Sequence, residues 1–259
     1  MDKTKQKLWT IIRSIIVLLF IIGLWEVLFI FGIFREITIP RPIAVFQVGV
    51  NLILGSVFAL NITATIIHWL IALILGLLFG GTLGIFSGLS YGVSNITSTP
   101  LAFLRAMPPI TLFPIALIAL GPGGTPIIVV AALGAALYIF PGTFTSTKEA
   151  SKRFEDLGQV LGCNRLQYIV NFVLPGAAIH VLSSTRVAAT YAFAICVAAE
   201  MVIGGSRGIG SAILEYSELY MLEHAYVYVI FAGLVGILID TVIGLINRLS
   251  IISHSSYDN

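Results

Sequence analysis

The sequence predicts an all-α polytopic membrane protein with about six transmembrane helices, and three observations carry that expectation. Of the 259 residues, 58% are hydrophobic and only 10% are charged, whereas soluble domains carry roughly 25% charge. Mean hydropathy is +1.03. Two long stretches, Pro42 to Leu104 and Ala106 to Thr147, contain no Asp, Glu, Lys or Arg. Such segments make surface for lipid and not for water. A soluble enzyme, a nucleic-acid binder and a disordered regulator are excluded.

A helix crossing a bilayer needs about 20 mostly apolar residues. On that measure spans fall at 9–34, 60–89, 96–119, 125–147, 177–203 and 224–248. The run after Lys3, Lys5 and Lys7 continues past Trp25 with no small-residue cleavage site, so it reads as a retained first span and not a signal peptide. Residues 35–59 form an extracytoplasmic segment, 60–249 a core of five spans, and 250–259 a tail. Gly76, Gly80, Gly81 and Gly84 suit close helix packing in lipid. Pro108, Pro109 and Pro114 predict a kinked or interrupted third span.

Orientation follows the basic residues. With the N-terminus inside, Lys3, Lys5, Lys7, Arg13, Lys148, Lys152, Arg153, Arg165 and Arg248 face the cytoplasm. Arg35, Arg41 and Arg207 then face outward, so both termini are expected in the cytoplasm. The connector at 148–175 lies inside as well and is the largest polar island in the chain. Its composition predicts short surface helices with a turn at Gly162, ending near Pro175. No other cytoplasmic segment is large enough to dock a partner.

Within that connector, Asp156-Leu157-Gly158, then Gly162, then Leu174-Pro175 carry a recognisable spacing. An acidic residue stands six positions before a glycine, and Leu-Pro follows twelve to thirteen after it. This resembles the EAA loop of ABC importer permeases. Ile39-Pro40-Arg41-Pro42, Leu104-Arg105-Ala106-Met107-Pro108-Pro109, Leu120-Gly121, Phe140-Pro141 and Ala199-Glu200-Met201 resemble landmarks of the nitrate, sulfonate, taurine and bicarbonate-type permeases. The chain departs from the pattern at Asp156 in place of Glu, at Leu157-Gly158 in place of Ala-Ala, and at Ile179 where a second proline is common.

The resemblance implies a type I ABC importer permease fold in the inner cell membrane, and a transporter subunit in place of an enzyme. By the same resemblance the permease is a homodimer surrounded by membrane lipid. Two ABC ATPase subunits bind the loop, and an extracytoplasmic substrate-binding protein delivers a small solute, an organic or inorganic anion such as a sulfonate, nitrate or bicarbonate. Related permeases take pyrimidine or aromatic substrates. ATP and Mg belong to the partner ATPase, and this chain is expected to bind no cofactor and no nucleic acid. It has no Gly-x-x-x-x-Gly-Lys-Ser/Thr phosphate loop, which also fits an ion-coupled secondary carrier.

Ionisable residues inside spans cost about 2.5–3.5 kcal/mol at the bilayer centre and invite a functional reading. Arg105, beside Pro108 and Pro109, is a candidate for the translocation pathway and reads equally as a helix-end arginine snorkelling to headgroups. Glu200 is a second pathway candidate, although its place near the outer end of span five suits a structural hydrogen bond better than substrate contact. Arg186 reads as a helix-end arginine snorkelling to headgroups, while Glu26 and Asp240 read as paired within the bundle or near an interface. Gly204-Gly205-Ser206-Arg207-Gly208-Ile209-Gly210 imitates a dinucleotide-binding turn, but no strand–helix unit or Tyr-x-x-x-Lys pair follows, so it reads as a flexible extracytoplasmic loop. Cys163 and Cys196, and the scattered His68, His180, His224 and His254, support neither a disulfide nor a metal site.

Overall fold

The computed structural model describes residues 3–33, 39–203 and 207–255, and among them it is a helical bundle without strands. Its helices are α1 (Lys3–Ile30), α2 (Pro42–Ile53), α3 (Ser56–Leu89), α4 (Tyr91–Ala106), α5 (Phe113–Leu120), α6 (Gly124–Val160), α7 (Arg165–Tyr168), α8 (Leu174–Ile203), α9 (Ile209–Glu218) and α10 (Leu222–Ser255). Four are long and apolar enough to cross a membrane: Ser56–Leu89, Gly124–Val160, Val181–Ile203 and Leu222–Asn247. Tyr91–Ala106 with Pro109–Leu120 makes a fifth, broken by an 89° bend. The span expected at 9–34 corresponds to α1, a helix of 28 residues whose described apolar stretch is Leu19–Ile30.

The centre of the bundle is α3 against α6, and glycine sets their separation. Gly76, Gly80, Gly84 and Gly88 recur every fourth residue and so share one face of α3. A Cβ on Gly80 would lie 2.6 Å from the Ala136 carbonyl oxygen, and one on Gly84 or Gly88 would lie 2.7 Å from Thr143 or Thr147. A Cβ on Gly76 would overlap that of Ala135. The two backbones therefore touch, the packing available when association rests on dispersion contacts and not on water release. Gly81 is different from its expected role: nothing lies within 4 Å of a Cβ there, because it points away from α6.

α6 also meets α8, whose Ala188, Ala189, Ala192 and Ala199 are fully buried. Two further helices lie where the sequence suggested only loops. Pro42 opens α2 at a position that needs no N–H, and Gly49 of α2 packs on Val227 of α10. α9 seats Ile209, Ala212 and Ile213 in a core shared with Phe58, Phe193 and Tyr228.

Replacing Gly80 by leucine is expected to force α3 and α6 apart at a cost of about 1–3 kcal/mol or more. Gly81→Leu is expected to leave stability unchanged or slightly raised, since only helix propensity changes there. Thermal unfolding of the two variants in one detergent separates these outcomes.

Candidate functional site

The connector between α6 and α8 is more ordered than a loop. α6 has 37 residues, about 55 Å at 1.5 Å per residue, against a hydrocarbon core of about 30 Å. Its C-terminal turns, from Lys148, therefore run on beyond the apolar stretch as one continuous helix. α6 ends at Val160, and Gly162 just beyond it, with a φ of +63°, lets Cys163 N–H donate to Gly158 O at 3.0 Å and Gly162 N–H to Gln159 O at 3.1 Å. That pair of bonds is the glycine-dependent helix stop. Asn164 then starts α7 with a reciprocal cap, its Oδ1 accepting from Gln167 N–H at 2.8 Å while Gln167 Oε1 accepts from Asn164 N–H at 3.0 Å.

The turn is also tied back to its helix. A Cβ on Gly158 would sit 2.7 Å from the Tyr168 ring, and the Tyr168 hydroxyl donates to the Ser151 carbonyl. Ala150, Val173 and Ala177 form a small core beneath, with Phe154 and Leu89 against it. The surface helix does not stop near Pro175 as expected. Ile169–Val173 is a π-helical turn running straight into α8, and this wider turn absorbs the missing N–H of Pro175. Asp156 is exposed, and at the tip Val160, Leu161 and Leu166 are 83%, 59% and 71% exposed.

The second feature is the broken span. α4 stops at Ala106, a short 3₁₀ turn covers Pro109–Leu112, and α5 starts at Phe113. Here prolines remove N–H donors, so the helix ladder cannot continue. A cavity of about 470 Å³ opens at the break, lined by Arg105, Met107, Pro108, Pro109, Tyr138 and Tyr191 among others. Tyr138 of α6 and Tyr191 of α8 pack ring on ring, 4.4 Å between centroids. Arg105 is exposed and, among the described residues, pairs with no carboxylate. Irregular backbone at membrane depth is tolerated where it lines such a cavity.

Glu200 stands apart from that cavity. It has no exposed surface, and its Oε2 accepts from Thr65 Oγ1 at 2.8 Å and from Gly210 N–H at 3.0 Å. His68 Nδ1 lies 3.0 Å from Oε1. Ile209 N–H donates to Thr65 Oγ1 and Gly208 N–H to Asn61 Oδ1, while Asn61 Nδ2 donates to the Tyr228 hydroxyl. The first N–H groups of α9 are thus capped by side chains of α3 and α8, with a carboxylate at the positive end of the helix. A Cβ on Gly208 would run into the Glu200 carboxylate, and one on Gly210 into the Val197 carbonyl. The glycines that imitate a phosphate-binding turn do approach an anion, and it is the protein's own. Residues 204–206 of that motif lie outside the described residues.

Sequence reasoning missed Asn61, Thr65, His68, Tyr138 and Tyr191. The first three stand at helical spacing on one face of an apolar helix, a polar stripe that pattern alone can reveal. Arg186 has a partner inside the protein. Its Nε and Nη2 bind Asp240 Oδ1 and Oδ2 at 2.6 and 2.5 Å, a bidentate pair joining α8 to α10. Glu26 is half-buried in an apolar groove between α1, α2 and α10. Both cysteines are free.

A bundle of membrane-length helices, one broken around a cavity and another prolonged into a capped polar turn, is the build of a polytopic transport component. Residues 72–251 match the family described as the binding-protein-dependent transport system inner membrane component, and the chain belongs to that family. It is 24% identical over 238 residues to an aliphatic sulfonates transport permease protein assigned in Bacillus subtilis (strain 168), covering 92% of this chain and 86% of the relative. To the nitrate import permease protein of Leptolyngbya laminosa it is 28% identical over 249 residues, covering 92% and 88%. The inward-facing methionine ABC transporter MetNI shares its fold with a TM-score of 0.65 at 16% identity, over 73% of this chain and 94% of that one. The relatives are ABC importer permeases, and the fold is that of type I importer permeases.

Glu200→Ala is expected to lower stability by about 3–5 kcal/mol, because the N-terminal donors of α9, Thr65 and His68 lose a buried anion. Glu200→Gln keeps an acceptor oxygen and is expected to cost about 1–2 kcal/mol. Melting temperatures ordered wild type, Gln, Ala check the assignment; equal values for all three count against it.

Proposed function

We propose that this chain is the membrane-spanning subunit of an ATP-driven importer for a small anion delivered by an extracytoplasmic binding protein. It works as a homodimer embedded in lipid, with both termini cytoplasmic and an ABC ATPase bound to each copy. ATP and Mg are handled by those ATPases. The connector around Asp156, Leu157, Gly158 and Gly162 is the coupling element, and Leu174 and Pro175 lead from it back into α8.

One observation carries the reading: three exposed apolar side chains, Val160, Leu161 and Leu166, stand on a turn held by a glycine stop, a capping box and Tyr168. Exposed apolar residues on a rigid, polar-rimmed element mark a protein contact. Force applied there has a direct route. α6 is unbroken from Gly124 to Val160 and carries Leu137 and Tyr138 in the cavity wall. The distance along it from Val160 to Tyr138 is about 33 Å at 1.5 Å per residue. Closure of the ATPases would swing this lever and remodel the cavity, shifting the bundle between inward- and outward-open states. Arg105 supports an anion as cargo, and sulfonate and nitrate permeases among the relatives agree with that.

Gly162 tests the coupling. No atom lies within 4 Å of a Cβ there, so substitution acts through the positive φ and not through crowding. Gly162→Val, β-branched, is expected to strain the turn by on the order of 1–2 kcal/mol and to lower solute moved per ATP hydrolysed several-fold, with normal membrane insertion. Gly162→Asn, which tolerates that backbone region, is expected to behave like wild type. The check is uptake and ATPase activity measured together in proteoliposomes; intact coupling in the valine variant overturns the role.

A further inference from the structure

We infer that the turn Leu219-Tyr220-Met221 between α9 and α10 is the seat of the extracytoplasmic binding protein, with Tyr220 as the anchor of the contact and Glu215 and Glu218 as its acidic rim. The inference rests on the transport reading above. It adds the surface that the partner takes and the chemistry of the partner's face, an apolar recess edged by Lys or Arg.

The turn stands at the far end of the bundle from the coupling connector. Leu89, the last residue of α3, packs on the small core under the connector, while Asn61 near the start of α3 donates to the Tyr228 hydroxyl of α10 at 3.0 Å. The distance along α3 from Asn61 to Leu89 is about 42 Å at 1.5 Å per residue, more than the hydrocarbon core of about 30 Å. From Tyr228, α10 runs back toward the connector end, where Asn247 Nδ2 donates to Leu182 O in the early turns of α8. Residues 219–221 precede Tyr228 and so lie further out still. With the connector in the cytoplasm, this turn faces the other side of the membrane.

Two local rules are broken in it. The backbone bonds that stop α9, Tyr220 N–H to Ser217 O at 3.2 Å and Met221 N–H to Tyr216 O at 2.9 Å, repeat those that stop α6, where the left-handed residue is Gly162. In α9 that residue is Tyr220, with a φ of +57°, and among the described residues no other non-glycine has a positive φ. A side chain at such a φ crowds the following carbonyl, so tyrosine here works against the fold. Burial gives little in return, since Tyr220 is 77% exposed. The second breach is electrostatic. Glu215 and Glu218 lie in the last turn of α9, where the helix dipole is negative and disfavours carboxylates. Both are exposed, and the chain carries no Lys or Arg between Arg207 and Arg248.

Strain and misplaced charge in one exposed turn mark a site kept for contact with something outside the chain. The turn is also rigid. Tyr216 stacks on His224 and Tyr228, with centroids 5.0 and 5.8 Å apart, and His224 N–H donates to Met221 O at 3.1 Å. A fixed, projecting aromatic with exposed Leu219 beside it has the form of an interface anchor that enters a pocket with little ordering cost. Two carboxylates next to the ring suit a basic protein surface better than a bilayer face of phosphates.

The experiment uses the full permease assembled with its ATPase subunits in lipid nanodiscs. It reads ATP hydrolysis against the concentration of the importer's own binding protein, isolated with the solute it carries. Tyr220→Gly relieves the strained φ and removes the anchor. Its melting temperature is expected to be unchanged or raised, while the half-saturating concentration of binding protein rises about tenfold or more. Tyr220→Phe keeps the ring and is expected to stay within about twofold of wild type. Glu215→Gln combined with Glu218→Gln is expected to raise half-saturation several-fold at low salt and to flatten its salt dependence. Unchanged half-saturation in Tyr220→Gly overturns the inference. So does a lowered melting temperature, the sign of a ring that anchors the chain in the fold or the membrane interface. Dissociation of the permease dimer in that variant, read by light scattering, gives the turn to a second copy and overturns it too. If wild-type hydrolysis does not respond to binding protein at all, the transport reading itself fails; a normal wild-type response with indifferent variants sinks only the seat assigned to Tyr220.

Discussion

Close contact between the backbones of α3 and α6 determines where nearly everything else in this molecule can lie. Gly76, Gly80, Gly84 and Gly88 bring α3 down onto Ala135, Ala136, Thr143 and Thr147. α6 thereby becomes the axis of the bundle, with α8 packed against both α3 and α6 and the proline break bedded on Gly134, where a Cβ would meet Pro109 and Ile195. The same helix supplies Tyr138 to the cavity and, further along, the turn at Gly162. Cavity and connector are thus features of one rigid rod, held by a contact only glycine permits.

The buried carboxylate is the second organising element. In lipid the unpaired N–H groups at a helix start must be satisfied by protein. α9 begins with Gly208 as its cap residue and has no capping side chain of its own. Asn61, Thr65 and Glu200 provide the acceptors from two other helices. The network therefore fastens α9 to α3 and α8 and extends through Tyr228 to α10. An ionisable group in such a place is commonly read as part of a transport path; complete sealing and a full set of partners give it a structural task.

Much of the connector is legible in the amino-acid order. Gly162 reads as a turn from its polar surroundings, and its φ of +63° shows why glycine stands there. The spacing to Leu174-Pro175 is equally visible, but the continuity of helix through Pro175 is not, because a π-helical turn leaves no mark in composition. Arg105, Pro108 and Pro109 stand close together in the chain and do share a cavity. Tyr138 and Tyr191 escape notice because tyrosine in an apolar run reads as packing. Arg186 and Asp240, 54 residues apart, carry no signal of partnership.

Hydropathy alone determined the class of solvent this chain meets, its helical character and the approximate spans, since lipid admits few ways to satisfy a backbone. Proline and glycine positions determined where helices break and turn, as those are local steric properties. Tertiary structure decided which polar groups meet: whether Glu200 is sealed or open, which carboxylate Arg186 pairs with, and which face of α3 each glycine occupies. Those outcomes depend on the rotation and register of whole helices against one another, and many small apolar contacts set that together, leaving no single residue to announce it.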